Sequence, residues 1–581
     1  MELKYIFSFL GVYTILVMPG IMLAYCLFRD RELKEIFLLG NTLGLALAIF
    51  TGYFACMAGL ARINYFVYVL GAQYVVSISL FLSALKSKPS FKLPGASSFP
   101  LIFLCLVVFV SRLIPLFYTQ FPRGWDPSFH CIIAQKLLIT GILPDNWMPF
   151  EPSAMNYTMG SHILLALVSK FTGIPVHQAF KLFYPFLAVL AALGIYCLAL
   201  YFTDNRKISV LSFVSYSFLA NWGSVDYYNW GGLPNMFGML FLLVILLLVL
   251  KQPAGTGRVK NILIGSILLS AVYLTHHLSA VVIISLFSFY ALLGLIRSGK
   301  LDKTSSAFIF ITLLSLVLSF IPLLPFISKV GTITSTTALK YFDEPMILPH
   351  TALKNVGMLL SALAITGIYL VFREKRMGEA GRFFLVYWAA ELLAVYFCLD
   401  YVYRAFTMLI FKENFTAFTP SRFLTDMAYP LSIFSAVCLY KVLEKIKFKG
   451  SFALIVAAMV MYGSPAIKNQ CGPDRFAPKD AAGYEWMGKN TPEGGVLLVW
   501  DYWAPYIAWR ETLYTPLPSS ENRANEYSLD KLKVENFDSA RAWLNKYGRK
   551  GYLPLDASVK PDLNAVRLTA QLDNLCLYEV K

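Results

Sequence analysis

Charge is what this chain has least of. Asp, Glu, Lys and Arg make up 14% of its 581 residues, against about 25% in an average soluble domain, which excludes a soluble enzyme and a disordered segment. Cysteine lacks any metal-binding pattern: nine are scattered without a C-x-x-C pair, so no zinc site is written here. Six of them (Cys26, Cys56, Cys105, Cys197, Cys398 and Cys438) fall in apolar stretches and read as small hydrophobes. Cys471 and Cys576 share the C-terminal segment and could pair if it faces an oxidising compartment. An internal repeat is also missing, which counts against a transporter or flippase, where repeat symmetry and helices broken at midplane are expected.

What the chain has in abundance is apolar surface. Hydrophobic residues are 57% of the total, and stretches such as 241–250 and 306–327 are apolar on every helical face, so lipid rather than water must cover them. Windows of about 20 apolar residues predict spans at 5–28, 36–60, 65–85, 99–117, 177–202, 208–221, 234–250, 261–275, 278–296, 305–327, 355–372, 383–402, 428–444 and 451–464. The expected fold is therefore an α-helical polytopic membrane protein of about 14 transmembrane helices with a small C-terminal α/β outer domain.

The net charge of +16 is confined to the membrane part, because residues from Pro465 onward carry fifteen basic and fifteen acidic side chains. A nucleic-acid binder would expose its positive charge on a solvated domain, so nucleic acid is not an expected partner. Alternate loops hold 22 Lys and Arg, from Arg29, Arg31 and Lys34 in the first to Lys441, Lys445, Lys447 and Lys449 in the last. By the positive-inside rule these loops face the cytoplasm and both termini face out. The outer side then owns the loops 118–176, 222–233, 328–354 and 403–427, the connection at His276 and His277, and the C-terminal segment. Within the first, Pro127 to Ile139 and Met159 to Phe171 read as amphipathic helices too short to span and lying in the interface plane.

Several outer residues could carry chemistry. In Gly124-Trp125-Asp126-Pro127-Ser128-Phe129-His130, Asp and Pro suit a helix start, and His130 stands one turn beyond Asp126, close enough to share a metal or a substrate hydroxyl. Asp226 sits in a short loop with no basic residue, so Asp126 and Asp226 together suit a hard divalent cation, Mg or Mn, with Asp343 and Glu344 able to close over it. Arg112, Lys181, Glu391, Asp400, Arg404 and Arg422 are charges in or at the edge of spans. A cluster of the arginines would bind the phosphate of a lipid carrier bidentately, with Arg422 first and Arg404 beside it. One of His276 and His277 could touch substrate, although adjacent helical His residues point about 100° apart. The C-terminal segment reads as a small α/β module with a strand from Val496 to Val499 and helices near 481–488 and 539–547. Its strand leads into Trp500-Asp501-Tyr502, which suits either acceptor binding or a packed corner.

These strings resemble the GT-C superfamily of membrane glycosyltransferases, and within it the catalytic subunit of oligosaccharyltransferase. Asp126-Pro127-Ser128-Phe129-His130 resembles that family's D-P-x-F-N string in the first large outer loop, and Asp226 is placed like the acidic motif of the next outer loop. The segment from Tyr484-Glu485-Trp486-Met487 through Asn490-Thr491-Pro492-Glu493-Gly494 to Trp500-Asp501-Tyr502 is similar to W-L-x-x-N-T-P-x-x-A-x-V-x-x-W-W-D-Y-G. Val499 replaces the first Trp of W-W-D-Y-G and Trp503 replaces its Gly.

The resemblance implies three parts: additional N-terminal helices in 1–98, a catalytic core in 99–464 and an extracytoplasmic domain in 465–581. It also implies sugar transfer from a polyprenyl-phosphate or diphosphate carrier to a glycan, lipid or protein acceptor, on the outer face of a prokaryotic, archaeal plasma membrane. Asp126 and Asp226 are implicated as catalytic residues and metal ligands, with His130 beside them. Trp500, Asp501 and Tyr502 would bind acceptor. The runner-up activity is oligosaccharide transfer to protein asparagine, which the Gly-to-Trp replacement disfavours because Gly permits close backbone approach.

Overall fold

The computed structural model describes the chain apart from residues 1, 58–63, 87–98, 125, 148–154, 156, 252–255, 334–348, 375–376, 378, 403, 406–407, 410–420, 447, 449, 475–476, 479–480, 493–494, 498–502, 510, 513–549, 557–565, 573–574 and 581. Among the described residues, twelve helices are long and apolar enough to cross a membrane, from Leu3–Leu27 to Ser451–Asn469. The protein is a multi-pass membrane protein. Two of the expected spans are helical without belonging to that set. The window 208–221 forms Arg206–Val214 and a π-helical turn, Ser215–Leu219, and the chain then breaks at Ala220. The window 383–402 lies in Glu379–Phe397 and a following π turn, and that helix carries Glu379, Arg382 and Glu391.

The basic loops gather at one end of the bundle. Arg31 donates to the carbonyls of Leu247 at 3.4 Å and Lys251 at 3.3 Å, and Lys251 pairs with buried Glu35. Lys260 reaches the Leu27 carbonyl, Arg258 reaches that of Lys303 at 3.2 Å, and Lys441 meets Glu374 at 2.8 Å. Loops an even number of spans apart thus meet, as the charge alternation required.

The first two helices, Leu3–Leu27 and Leu33–Met57, cross through glycine. A Cβ at Gly20 would fall on the backbone of Gly40 and Gly44, and one at Gly44 would stand 2.5 Å from the Val17 Cα. Small residues let backbones meet where lipid supplies no hydrophobic drive. This pair also covers the helix Gly160–Thr172, with Gly52 directly against Ile163. The expectation that Met159 to Phe171 lies in the interface plane is therefore corrected: every residue of that helix from Gly160 to Ser169 is buried. Its companion Asp126–Thr140 is formed as expected and is also largely buried.

The C-terminal module holds a five-stranded sheet in the order β2-β1-β3-β5-β4, with β1 Val496–Leu497, β2 Glu511–Thr512, β3 Gly551–Asp556, β4 Val566–Leu572 and β5 Leu575–Val580. Strand β1 runs parallel to β2 and β3, whereas β5 pairs antiparallel with β3 and β4. The helix Ala481–Asn490 lays Tyr484 and Met487 on Leu497, Tyr552 and Leu577. The expected helix at 539–547 lies outside the described residues. Cys471 and Cys576 are both free, so the pairing left open on sequence is not formed.

Candidate functional site

The end of the bundle opposite the basic loops is built from carbonyl clamps. Entering the loop 118–176, the chain is held by Lys181, whose Nζ donates to the Thr119 carbonyl, and by Gln178, whose Nε2 donates to Gln120 O at 2.9 Å. Arg112 does the same for Ser217 O and lies over the Phe218 ring. Two of the membrane-edge cations thus satisfy backbone groups, as non-helical backbone within a bundle demands. Arg123 then reaches the end of the last span, and Gly124, at φ +85°, turns the chain into the helix Asp126–Thr140. Asp126 stands in its first turn, where the free N–H groups favour an anion.

The loop 222–233 is pressed against that turn. After Ala220 the chain makes a π turn, Asn221–Val225, with Gly223 at φ +85° because a Cβ there would strike the Thr425 carbonyl. Tyr184 OH donates to Val225 O at 3.0 Å, and Thr119 and Tyr228 share a hydroxyl hydrogen bond of 2.5 Å. Gly124 abuts Asn229 and Trp230, and Gly231 abuts the Pro127 ring. The segments that carry Asp126 and Asp226 therefore pack directly on each other.

Asn229 Nδ2 donates to Asp226 at 2.5 Å. Burial pushes the Asp226 carboxyl up to about 6, with the Asn229 hydrogen bond and the Arg123 charge opposing it. The expectation of carboxylates without a local cation is thereby corrected. The Asp226 loop itself has no basic residue, but Arg123 from the neighbouring loop faces it.

Histidines converge beside this turn. His130 Nδ1 and His162 Nε2 share a hydrogen bond of 3.0 Å, and both rings are buried. The Tyr157 ring lies 5.6 Å from His130, 5.3 Å from His162 and 5.6 Å from His277. Burial, with His130 beside it, holds His162 well below the ordinary imidazole range. His162 was not singled out from the sequence; its only signal was a His in the second short helix of a loop whose first helix already carried one. The helix does break, at His276. His276 caps the helix His277–Ser298 by accepting the Ser279 N–H at 3.2 Å. Ser279 Oγ donates to Asn235 at 2.7 Å, and Asn235 donates to Tyr227 OH at 3.1 Å and Asp426 at 3.5 Å. Asp426, 2% exposed, is a second carboxylate close to the Asp226 loop that sequence reading missed.

The remaining expected residues divide. Arg404 is buried. Arg422 belongs to the helix Ser421–Asp426, but its side chain is outside the described part, as is that of Asp400. Asp343, Glu344, Trp500, Asp501 and Tyr502 lie outside the described residues altogether. Glu391 accepts from Ser285 inside the bundle, away from this end. Trp503, which follows the undescribed string, is fully buried, 4.8 Å from Phe121 and 5.7 Å from Tyr506. Tyr506 OH in turn lies 3.2 Å from His177 Nδ1. Among the described residues no three His, Cys, Asp or Glu side chains gather into a group that could hold a metal.

This bundle, with two acidic loops packed together and a small module against them, shares its fold with solved structures. ArnT from Cupriavidus metallidurans, bound to undecaprenyl phosphate, matches with a TM-score of 0.53 at 12% identity over 83% of this chain and 98% of its own. The oligosaccharyltransferase of Archaeoglobus fulgidus in complex with Zn and sulfate matches with a TM-score of 0.51 at 14% identity, over 79% of this chain and 68% of its own. The archaeal oligosaccharyltransferase AglB from Archaeoglobus fulgidus, in complex with an inhibitory peptide and a dolichol-phosphate, matches with a TM-score of 0.50 at 14% identity over 80% of this chain and 70% of its own. No protein-family model and no curated protein sequence matches the chain.

Proposed function

We propose that the protein transfers a sugar from a polyprenyl-phosphate or polyprenyl-diphosphate carrier to a glycan or lipid acceptor. The observation that carries this reading is the seating of the Asp126 turn against the Asp226 loop, within a fold shared with ArnT and AglB. Because the opposite end holds the basic loops, the site faces out of the membrane, taken as a prokaryotic, archaeal plasma membrane. In this reading the acceptor hydroxyl attacks the anomeric carbon and its proton passes to the Asp126 carboxylate. The bond from that carbon to the carrier oxygen breaks, and the electron pair leaves on the phosphate. Arg422 and Arg404 bind that phosphate. His130, fixed by His162, orients the acceptor beside Asp126.

Asp126 and Asp226 suit a divalent ion of the Mg or Mn type, which takes one or two carboxylates and completes its shell with phosphate oxygens and water. Bound there, the ion would neutralise charge on the leaving phosphate. The parts read as added N-terminal helices in 1–98, a catalytic core in 99–464 and an outer acceptor-side module in 465–581, with Trp500, Asp501 and Tyr502 facing the acceptor.

Transfer to protein asparagine is the second reading, favoured by the likeness to AglB. Against it, Trp503 fills the space between Phe121 and Tyr506 where a Gly would leave room for a peptide backbone. The deciding experiment offers the same carrier-linked donor to a sequon peptide and to glycan or lipid acceptors. Efficient peptide glycosylation that is lost in Asp501→Ala would replace the first reading with the second.

A further inference from the structure

The chain leaving the last span, Ser451–Asn469, turns through carbonyls beyond the helical ladder, with Asn469 O accepting the Gly472 N–H at 3.3 Å. Arg123 adds donors from the loop before Asp126. Its Nη1 donates to Asn469 O at 3.2 Å, Gln470 O at 3.0 Å and Gly472 O at 2.8 Å. The bonds run the other way as well. Asp474 accepts the Gly124 N–H at 2.9 Å, and Gln470, completely buried, donates its Nε2 to Val225 O, one residue before Asp226. A single stretch, 469–474, is therefore bonded to both acidic loops.

The chain leading into each acidic residue is irregular, although Asp126 opens the helix Asp126–Thr140 and Asp226 precedes the single turn Tyr227–Trp230. The stretch from Thr119 to Gly124 is not helical, and Asp226 follows a π turn interrupted at Trp222 and Gly223. Tyr184 also holds Val225, and Thr119 holds Tyr228, but these contacts leave the Arg123–Gly124 turn itself untouched. That turn is hydrogen-bonded to the chain leaving the last span.

We propose that Arg123, Gln470 and Asp474 are positioning residues that set the separation of Asp126 from Asp226, so that the start of the C-terminal module, and not the bundle alone, determines the geometry of the site. The proposal rests on the reading of those two carboxylates as the reacting site. Arg123 suits the task because a planar guanidinium can serve several carbonyls at a helix end while its charge complements the helix dipole. Asp474 suits it because a carboxylate accepts a backbone N–H more strongly than a neutral oxygen does.

Hydrogen–deuterium exchange of the full-length protein in detergent tests this without any substrate. Arg123→Gln and Asp474→Ala are expected to raise exchange in both 119–132 and 221–232, and to leave 247–262 at the opposite end as in wild type. Asp474→Asn keeps an oxygen acceptor and is expected to restore the wild-type pattern. With a carrier-linked sugar as donor, Arg123→Gln should lower kcat by up to about 100-fold, the effect of a displacement of about 1 Å between reacting groups, while KM for the donor stays within about twofold.

Unchanged exchange in the two acidic loops would overturn the proposal. So would a rise throughout the bundle, including 247–262, which would mark general destabilisation, or a defect confined to KM. Absence of sugar transfer by the wild-type protein would count against the proposed function instead, and the exchange pattern would still decide the positioning role.

Discussion

Replacing Gly124 by Ala inserts one methyl group between the two acidic loops. Its Cβ would fall on the Asn229 carbonyl oxygen and 3.1 Å from the Trp230 Cα. Both are backbone, so no flexible side chain can swing aside. The residue also sits at φ +85°, which costs an L-residue about 1–2 kcal/mol. To regain ordinary contact at about 3.5 Å the loops must part by on the order of 1 Å. A misplacement of that size can cost about 100-fold in rate, equivalent to about 2.7 kcal/mol of transition-state stabilisation.

Gly173 provides the control, because it has φ +72° but nothing within 4 Å of its Cβ. Gly173→Ala carries the backbone strain without the wedge. Sugar transfer from a carrier-linked donor in proteoliposomes, corrected for folded protein, should fall steeply for Gly124→Ala and little for Gly173→Ala. Equal activity of the two variants would refute the claim that contact between the loops sets the site.

Three further outcomes are expected. Burial raises Asp226 to about 6, so the folded state holds this proton more tightly than the unfolded chain; the associated stability is full below about pH 4 and is lost as pH rises through about 6. Asp226→Asn should therefore stabilise the chelator-treated protein at about pH 8 by roughly 1–3 kcal/mol, with the gain vanishing toward about pH 4, and a pH-independent change in thermal unfolding would contradict this. Gly20→Leu should lower the unfolding midpoint through overpacking of about 1–3 kcal/mol, whereas Gly11→Leu, at a position with nothing within 4 Å, should not. Chelation should stop transfer and Mg or Mn should restore it, since the two carboxylates favour hard cations; full activity in chelator would remove the metal from the account.

The membrane architecture was legible because lipid imposes a simple rule on composition. Runs such as Leu233–Leu250 have to be helices, and the Lys and Arg that cannot enter the bilayer mark alternate loops. The Asp126 and Asp226 segments, which pack on each other, could be singled out for the same reason: polar residues on the loops between the basic ones stand out against so apolar a chain. The Gly160–Thr172 helix misled because its Ser161 and His162 look like a water-facing edge. In the fold that edge is buried, with Leu33–Met57 packed on the helix through Gly52. Arg123 gave no sequence signal of its role, since its partners at Gln470 and Gly472 lie nearly the whole length of the core away. Asp426 was passed over because a carboxylate at a span edge is indistinguishable from a solvated one until Asn235 and Ser279 are seen beneath it.

Asp126 is proposed to take the acceptor proton in sugar transfer from a polyprenyl-phosphate carrier. Single-turnover transfer from a labelled carrier-linked sugar, compared between the wild-type protein and Asp126→Asn at matched folding, tests it most directly. The account predicts transfer by the wild type and a loss of at least about 100-fold in the variant, the lower range expected for removing a general base. Transfer by Asp126→Asn at the wild-type rate would contradict it.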